Sequence, residues 1–126
     1  MVGLIWFVQV VHYPLLAHLD AEGNAEHQRR TGYVVAVPMA VEAATGLLLL
    51  LGARPAGVTA AQAWTGMILL AVVWLSTALL QVPRHRELAR GAGREAQRRL
   101  VAGNWVRTAA WSARGALVIW MLAAAT

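Results

Sequence analysis

Apolar residues fall into four long segments separated by polar linkers. The segments cover residues 2–19, 32–51, 61–82 and 100–125. A helix rises ~1.5 Å per residue and needs about 20 residues to cross the hydrocarbon core of a bilayer. Each segment is close to that length. The pattern therefore predicts an all-α protein, a bundle of four transmembrane helices in one domain spanning residues 1–126.

Positive charge is concentrated in two of the three linkers. The first linker (20–30) and the third (83–99) hold eight arginines, whereas the middle linker (52–61) holds only Arg54. Cytoplasmic loops carry the excess of basic residues, so we expect both basic linkers in the cytoplasm and both termini on the non-cytoplasmic side. The third linker interleaves Arg and Glu, which predicts a short surface helix against anionic lipid headgroups.

The composition supports a membrane protein. The chain is 59% hydrophobic and 13% charged, which is typical of small polytopic membrane proteins rather than soluble domains. Its net charge of +5 is explained by the linkers, so we expect the lipid bilayer, and no nucleic acid, as its partner. The chain has no cysteine and no lysine. Disulfides, thiolate metal sites, cysteine nucleophiles and Schiff-base lysines are therefore excluded.

The two halves of the chain share a pattern. The stretch AEHQRR (25–30) precedes the second apolar segment, and the similar REAQRR (94–99) precedes the fourth. Near the ends of the first and third segments, QVVHYP (9–14) is similar to QVPRH (81–85). These similarities predict two parallel helical-hairpin repeats with a binding site at their interface. A chance similarity between amphipathic helix ends is the alternative.

Polar side chains interrupt the apolar segments, mostly in their cytoplasmic halves. Counting ~1.5 Å per residue from the cytoplasmic ends places them at overlapping depths. They predict one polar layer drawn from all four helices: Gln9, His12, Glu42, Thr77, Gln81, Asn104, Arg107 and Arg114. Ionisable residues inside transmembrane segments usually mark functional sites, although an ion pair can also simply join two helices.

Glu42 is the only acid in the four segments. It needs a partner, because burying an isolated carboxylate is prohibitive. Arg114 is closest to it in depth, and Arg107 is the alternative. One carboxylate cannot neutralise two guanidinium groups, so one positive charge remains uncompensated. That charge predicts an anionic ligand, a lipid headgroup, an acidic partner, or snorkelling of Arg107 to the interface.

His12 and Glu42 are the candidate catalytic proton carriers, and the arginines would stabilise developing negative charge. A buried His12 bonded to Gln81 or Asn104 is the structural alternative. No H-x-x-x-H or E-x-x-H spacing occurs and no second histidine lies deep in a segment, so no metal or haem site is predicted. Trp74, Trp105 and Trp111 are candidate walls for a planar ligand such as a quinone or polyketide, with helix packing as the ordinary role of each.

Four stretches together carry a resemblance to a known family: QVVHYPL, VP-M-VE-ATG, W-ST-LLQVP-H-EL and NW-RT-W-ARG. The chain resembles, over nearly its whole length, a family of small bacterial four-helix integral membrane proteins. The resemblance implies the four-helix fold and no particular activity. We expect the protein to lie in the bacterial inner membrane. More remotely, the layout is similar to anthrone-oxygenase-like membrane proteins, a similarity that assigns no catalytic residues.

The sequence thus predicts an integral membrane protein that binds a small amphipathic or anionic ligand in its polar layer. The enzymatic version of this hypothesis is an oxidoreductase or oxygenase acting on a lipophilic aromatic compound, with no cofactor specified. The alternative is a non-enzymatic accessory or assembly subunit of a larger respiratory or photosynthetic membrane complex. A small transporter formed by a homo-oligomer ranks below both, because four helices leave little room for a path.

Overall fold

The computed structural model describes all 126 residues and contains four helices and no strand, with 87% of the chain helical. The helices are α1 (Val2–His18), α2 (Ala21–Leu50), α3 (Ala60–Ala89) and α4 (Arg94–Ala125). The last three are long and apolar enough to cross a membrane, whereas α1 is shorter. At ~1.5 Å per residue α1 is about 25 Å long, slightly less than the hydrocarbon core. The predicted all-α architecture with four helices is confirmed.

The second helix begins well before its apolar segment. The side chain of Asp20 accepts a 2.7 Å hydrogen bond from the backbone N–H of Gly23, which caps the start of α2. Within the first turns, Glu26 forms ion pairs with Arg29 and Arg30. The cap and these local pairs favour helix in a polar stretch. Helix therefore extends through most of the polar linker over residues 20–30 and continues into the apolar segment that follows it.

The third linker is mostly helical too, but it forms no separate surface helix. It consists of the end of α3, a turn over residues 90–93 and the start of α4. Gly91 ends α3 with a φ of 84°, a conformation that glycine adopts readily. The N–H groups of Gly91 and Ala92 bond the carbonyls of Leu88 and Glu87, each at 3.0 Å, as in a Schellman motif. The basic residues of this linker therefore lie on two long helices and the turn between them.

The fourth helix organises the bundle. α4 packs along α3 and against α1, and α3 packs along α2, whereas α1 and α2 have no extensive contact. The main apolar core contains Ile5, Met39, Leu70, Val73, Ala110 and Trp111. A second core, near the α1–α2 and α3–α4 connections, contains Tyr13, Leu16, Leu88, Ala96 and Leu100. The helices pack side by side in the order α1, α4, α3, α2, and a gap remains between α1 and α2.

Each odd-numbered helix contains one wider π-helical turn, at Val8–His12 in α1 and at Thr77–Gln81 in α3. Each π turn ends two residues before a proline, Pro14 or Pro83. Proline has no N–H to donate to the preceding turn, which explains why the helix widens there. The two π turns contribute side chains to the gap between α1 and α2.

Candidate functional site

A partly open cleft of about 410 Å³ occupies the gap between α1 and α2 and is lined by all four helices. Small-ligand sites generally have volumes of ~300–1,000 Å³. Its apolar part is formed mainly by Leu4, Ile5, Val8, Val35, Met39 and Trp74. The part nearer the basic connections is lined by Tyr13, His27, Thr77, Gln81, His85 and Arg107. The cleft is therefore amphipathic, with its polar groups gathered at one end.

Arg107 carries the uncompensated charge at the polar end. It is 7% exposed and forms no ion pair. One guanidinium NH donates to Oδ1 of Asn104 at 3.1 Å, and the Nε–H has no partner. The Tyr13 side chain lies beside the guanidinium. Arg107 thus presents a buried cation to the cleft with only neutral groups around it.

Gln81 lines the same cleft as Arg107, with its hydrogen-bonding capacity unused. The residue is 2% exposed, and neither the oxygen nor the nitrogen of its amide has a hydrogen-bond partner. A Cβ atom at Gly103 would come within 3.2 Å of the Gln81 amide nitrogen, so the glycine provides room for it. An unpaired buried amide costs about 1–3 kcal/mol. Gln81 is therefore a group whose partner a ligand can supply.

A hydrogen-bond network behind Arg107 fixes α1 to α4. The Asn104 amide donates to Oε1 of Gln9 at 2.9 Å, and the Thr108 hydroxyl donates to the same oxygen at 3.3 Å. The Gln9 amide in turn donates to the carbonyl of Val101 at 3.2 Å. Because the side-chain nitrogen of Asn104 is held by Gln9, its oxygen Oδ1 is directed towards Arg107. The network positions the cation and does not line the cleft.

Glu42 and Arg114 form a separate ion pair outside the cleft. Nε of Arg114 donates to Oε2 of Glu42 at 3.0 Å, and a second nitrogen donates to the carbonyl of Gly66 at 2.7 Å. A Cβ atom at Gly66 would lie 2.9 Å from that nitrogen, so the glycine allows the close approach. Arg114 is the nearer in depth of the two partners that the sequence suggested for Glu42. The pair joins α2, α3 and α4.

Three histidines from three helices meet at the polar end of the cleft. Nε2 of His12 lies 3.1 Å from Nδ1 of His27, which links α1 to α2. The rings of His27 and His85 have centroids 6.1 Å apart, and Nε2 of His85 lies 3.1 Å from the Tyr13 hydroxyl. His27 and His85 line the cleft, and His12 lies behind His27.

The surroundings of His27 and His85 favour neutral imidazoles. Both residues lie beyond the apolar segments 32–51 and 61–82. Burial, followed by the nearby His27, Arg107 and His12, lowers the pKa of His85 to about 4. Burial and the neighbouring His12 also lower the pKa of His27. Burial disfavours a positive charge on either ring, and Arg107 adds to this effect at His85.

These side chains are not arranged as a metal site. No group of three His, Asp or Glu side chains is placed to hold a metal ion. His85 is directed to Tyr13, and the contact between His12 and His27 uses a ring nitrogen of each. The ring nitrogens of these histidines are therefore engaged in hydrogen bonds.

The predicted polar layer is divided into parts by the structure. Thr77, Gln81 and Arg107 line the cleft, and Gln9 and Asn104 support Arg107 from behind. His12 reaches the cleft only through His27, and Glu42 and Arg114 lie outside it. Trp111 is 1% exposed in the apolar core and does not line the cleft. Trp74 is the tryptophan on its wall.

Sequence reasoning missed Tyr13, His27, His85 and Thr108. His27 and His85 were assigned to linkers because they lie in polar stretches. The Asp20 cap and the Arg84–Glu87 pair at i,i+3 were signals that helix continues through both positions. Tyr13 and Thr108 were visible only as ordinary members of apolar helices, and their roles depend on how the helices pack.

Comparison with known proteins does not assign the chain to a family: no protein-family model matches it, and no curated protein or solved structure shows significant similarity to it.

Proposed function

We propose that this chain is an integral membrane protein that binds a small amphipathic molecule in the cleft between α1 and α2. The ligand's anionic or strongly hydrogen-bond-accepting head would contact Arg107 and Gln81, and its apolar part would lie against Val8, Val35 and Met39. The observation that carries the proposal is the buried Arg107, which lines the cleft without a carboxylate partner.

The charge balance argues for an anionic head. The ion pair with Arg114 already uses the only acid in the apolar segments, Glu42. Arg107 is left with the neutral oxygen of Asn104. Isolated buried cations are strongly unfavourable, and charge-assisted hydrogen bonds to an anion are among the strongest that an arginine forms. A bound anion would neutralise the cleft.

The rest of the cleft fits an apolar ligand body. Its wall is mostly hydrophobic, and Trp74 presents an aromatic surface there. An oxidoreductase or oxygenase acting on a lipophilic aromatic compound would use the same cleft. The proton carriers nearest to its substrate would then be Tyr13 and His85 rather than His12 and Glu42, because the first two line the cleft and the second two do not.

The proposed location is the bacterial inner membrane, with the basic connections and both prolines of the π turns towards the cytoplasm. Three helices have the length and apolarity that such a location requires. The distribution of arginine sets the orientation by the positive-inside rule. The polar end of the cleft would then lie near the cytoplasmic leaflet, where amphipathic molecules place their charged heads.

The test is to purify the wild-type protein and two variants gently from their native membrane, and to identify co-purifying small molecules by native mass spectrometry. Arg107→Gln removes the cation of the cleft. Arg98→Gln removes one positive charge from an exposed position on the same helix and serves as the control. We expect the same amphipathic anion on the wild type and on Arg98→Gln, and its loss from a folded Arg107→Gln protein. Retention by Arg107→Gln would refute the proposal.

A second candidate function is that of an accessory subunit in a larger membrane complex. Only 11% of the apolar window of α2 is buried within the chain, against 28% for α3 and 33% for α4. Its outer face, which includes Tyr33, Val34 and Val37, is available to lipid or to a partner helix. Co-purification of larger subunits in a fixed ratio would favour this function, and a homogeneous homo-oligomer would count against it.

A further inference from the structure

We propose that the cleft takes up a proton when it binds an anionic head, and that His85 is the residue that receives it. This inference rests on the proposed binding function and adds a coupling between ligand and proton. It follows from the position of His85 on the cleft wall with Arg107, together with the histidines that connect it to the outside.

The environment of His85 is cationic or neutral on every side. Tyr13 and His12 face it from α1, His27 from α2 and Arg107 from α4. On α3, Arg84 pairs with Glu87, and the exposed Arg86, which follows His85 in the chain, is a further cation. No carboxylate faces the imidazole. Burial of the site, followed by the nearby His27 and Arg107, keeps the free His85 neutral, with a pKa of about 4.

An anionic head would reverse this balance. Bound at Arg107, it would compensate the guanidinium charge and place a negative charge near the imidazole. A nearby negative charge favours the protonated form of histidine and raises its pKa. Since binding raises the affinity for the proton, the proton must raise the affinity for the ligand by the same factor.

The histidine cluster provides a route by which the proton can arrive. His12 is partly exposed and contacts His27, whose ring lies next to that of His85. An imidazole can accept a proton on one nitrogen and release one from the other. His12 and His27 therefore give a proton from the partly exposed side a path to the neighbourhood of His85. The hydrogen bond to the Tyr13 hydroxyl holds its ring in place.

The affinity for the anion should depend on pH because the pKa of His85 differs between the free protein and the complex. In the free protein His85 is neutral above pH 4, and in the complex its pKa is raised. Affinity for the anion should then increase as the pH falls from 7.5 to 5, by roughly tenfold. The increase in affinity should level off as the pH approaches the pKa of His85 in the free protein, because His85 is then already protonated before binding.

The experiment is isothermal titration calorimetry of the full chain in neutral detergent with octane-1-sulfonate, an amphipathic probe that stays anionic throughout this range. Titrations at pH 6 in two buffers of different ionisation enthalpy give the number of protons taken up per ligand. We expect a value between zero and one for the wild type, a value near zero for His85→Gln, and the wild-type value for His18→Gln, which changes an exposed histidine. The variant Tyr13→Phe keeps the imidazole of His85, so its proton uptake should equal that of the wild type.

Binding of the sulfonate with equal heats in both buffers would overturn this inference and leave the binding site intact. Unchanged proton uptake in a folded His85→Gln protein would also overturn it, since another group would be receiving the proton. A complete lack of binding by the wild type would instead contradict the proposed binding function. If His85→Gln does not fold, the wild-type titrations in the two buffers still decide whether a proton is taken up.

Discussion

Nε of Arg114 donates a 3.0 Å hydrogen bond to Oε2 of Glu42, and this ion pair connects α4 to α2 through the apolar part of the bundle. The arginine is almost fully buried and also bonds the carbonyl of Gly66 on α3. A pair in this position has a structural consequence, because either partner left alone is a charge without a counterion in an apolar setting.

Removing one partner of this ion pair should lower the stability of the protein more than removing both partners. Glu42→Gln and Arg114→Met should each destabilise the protein by about 3–5 kcal/mol, since each leaves one unpaired buried partner or charge. The double variant Glu42→Gln/Arg114→Met should be less destabilised than the sum of the two single variants. Thermal unfolding in detergent measures all three proteins. Additive losses would show that the two residues act independently.

Replacing Gln81 by leucine should stabilise the free protein. The buried amide of Gln81 has no partner, so an apolar side chain of similar size removes a cost of about 1–3 kcal/mol. Gln9→Leu is the matched control, because the Gln9 amide is fully engaged with Asn104, Thr108 and Val101 and its loss should destabilise. The measurement is the unfolding temperature of ligand-free protein. A loss of stability in Gln81→Leu would mean that the amide has a partner.

The same substitution should weaken ligand binding if Gln81 holds the head. A variant that is more stable but binds less is the expected pattern for a residue kept for function. Equal affinity in Gln81→Leu and wild type would remove Gln81 from the site and leave Arg107 as the only head-binding group.

Acid should destabilise the folded protein through His85. Its pKa of about 4 in the folded state lies below the ordinary value of ~6.5, so the unfolded chain binds more protons between these values. Stability should therefore rise with pH across this window, and its loss between pH 7 and pH 5 through this residue should be about 2 kcal/mol. His85→Gln should show a weaker dependence, and His18→Gln should follow the wild type. Unfolding temperatures at pH 5, 6 and 7 provide the comparison.

The proposed orientation can be tested by labelling single cysteines, because the chain has none of its own. Ala56 lies in the connection between α2 and α3, and Ala92 lies in the turn between α3 and α4. A membrane-impermeant maleimide should label Ala56→Cys in cells with a permeabilised outer membrane. Ala92→Cys should react only after the inner membrane is broken. The reverse pattern would place the basic turns outside.

The helices were predictable because hydropathy reports directly on the segments that need an apolar surrounding. Their ends were not, because apolar length marks the stretch suited to the bilayer and not the last helical residue. The caps at Asp20 and at Thr59 with Gln62 are the local signals that fix where α2 and α3 start. The Asp20 cap starts α2 at Ala21 and so places His27 inside the helix.

The polar residues inside the apolar segments were predictable, but their grouping in space was not. Depth along a helix follows from counting residues, and it placed Glu42 nearest to Arg114. Which face of a helix meets which neighbour depends on packing between helices. That packing separates Arg107 from Glu42 and brings His27 and His85 to the cleft.

The internal repeat stays a prediction. The backbone offers one new observation in its favour, which is that the π turns precede Pro14 and Pro83 in the same way. This correspondence aligns His12 with Gln81, whereas the sequence comparison paired Gln9 with Gln81. With His12 aligned to Gln81, the same separation of 69 residues divides Pro14 from Pro83 and Gln28 from Gln97.

The most direct test of the central claim, that Arg107 makes the cleft a site for an anionic amphipathic molecule, compares three probes with the same tail. Octane-1-sulfonate, octan-1-ol and octyltrimethylammonium differ only in the head, and their affinities are measured at pH 7.5 for wild type, Arg107→Gln and Arg98→Gln. We predict that the wild type and Arg98→Gln bind the sulfonate at least about tenfold more tightly than the alcohol, as a charge-assisted hydrogen bond would give. Arg107→Gln should lose that preference. Equal binding of all three probes by the wild type, or a sulfonate preference that survives in Arg107→Gln, would contradict the account.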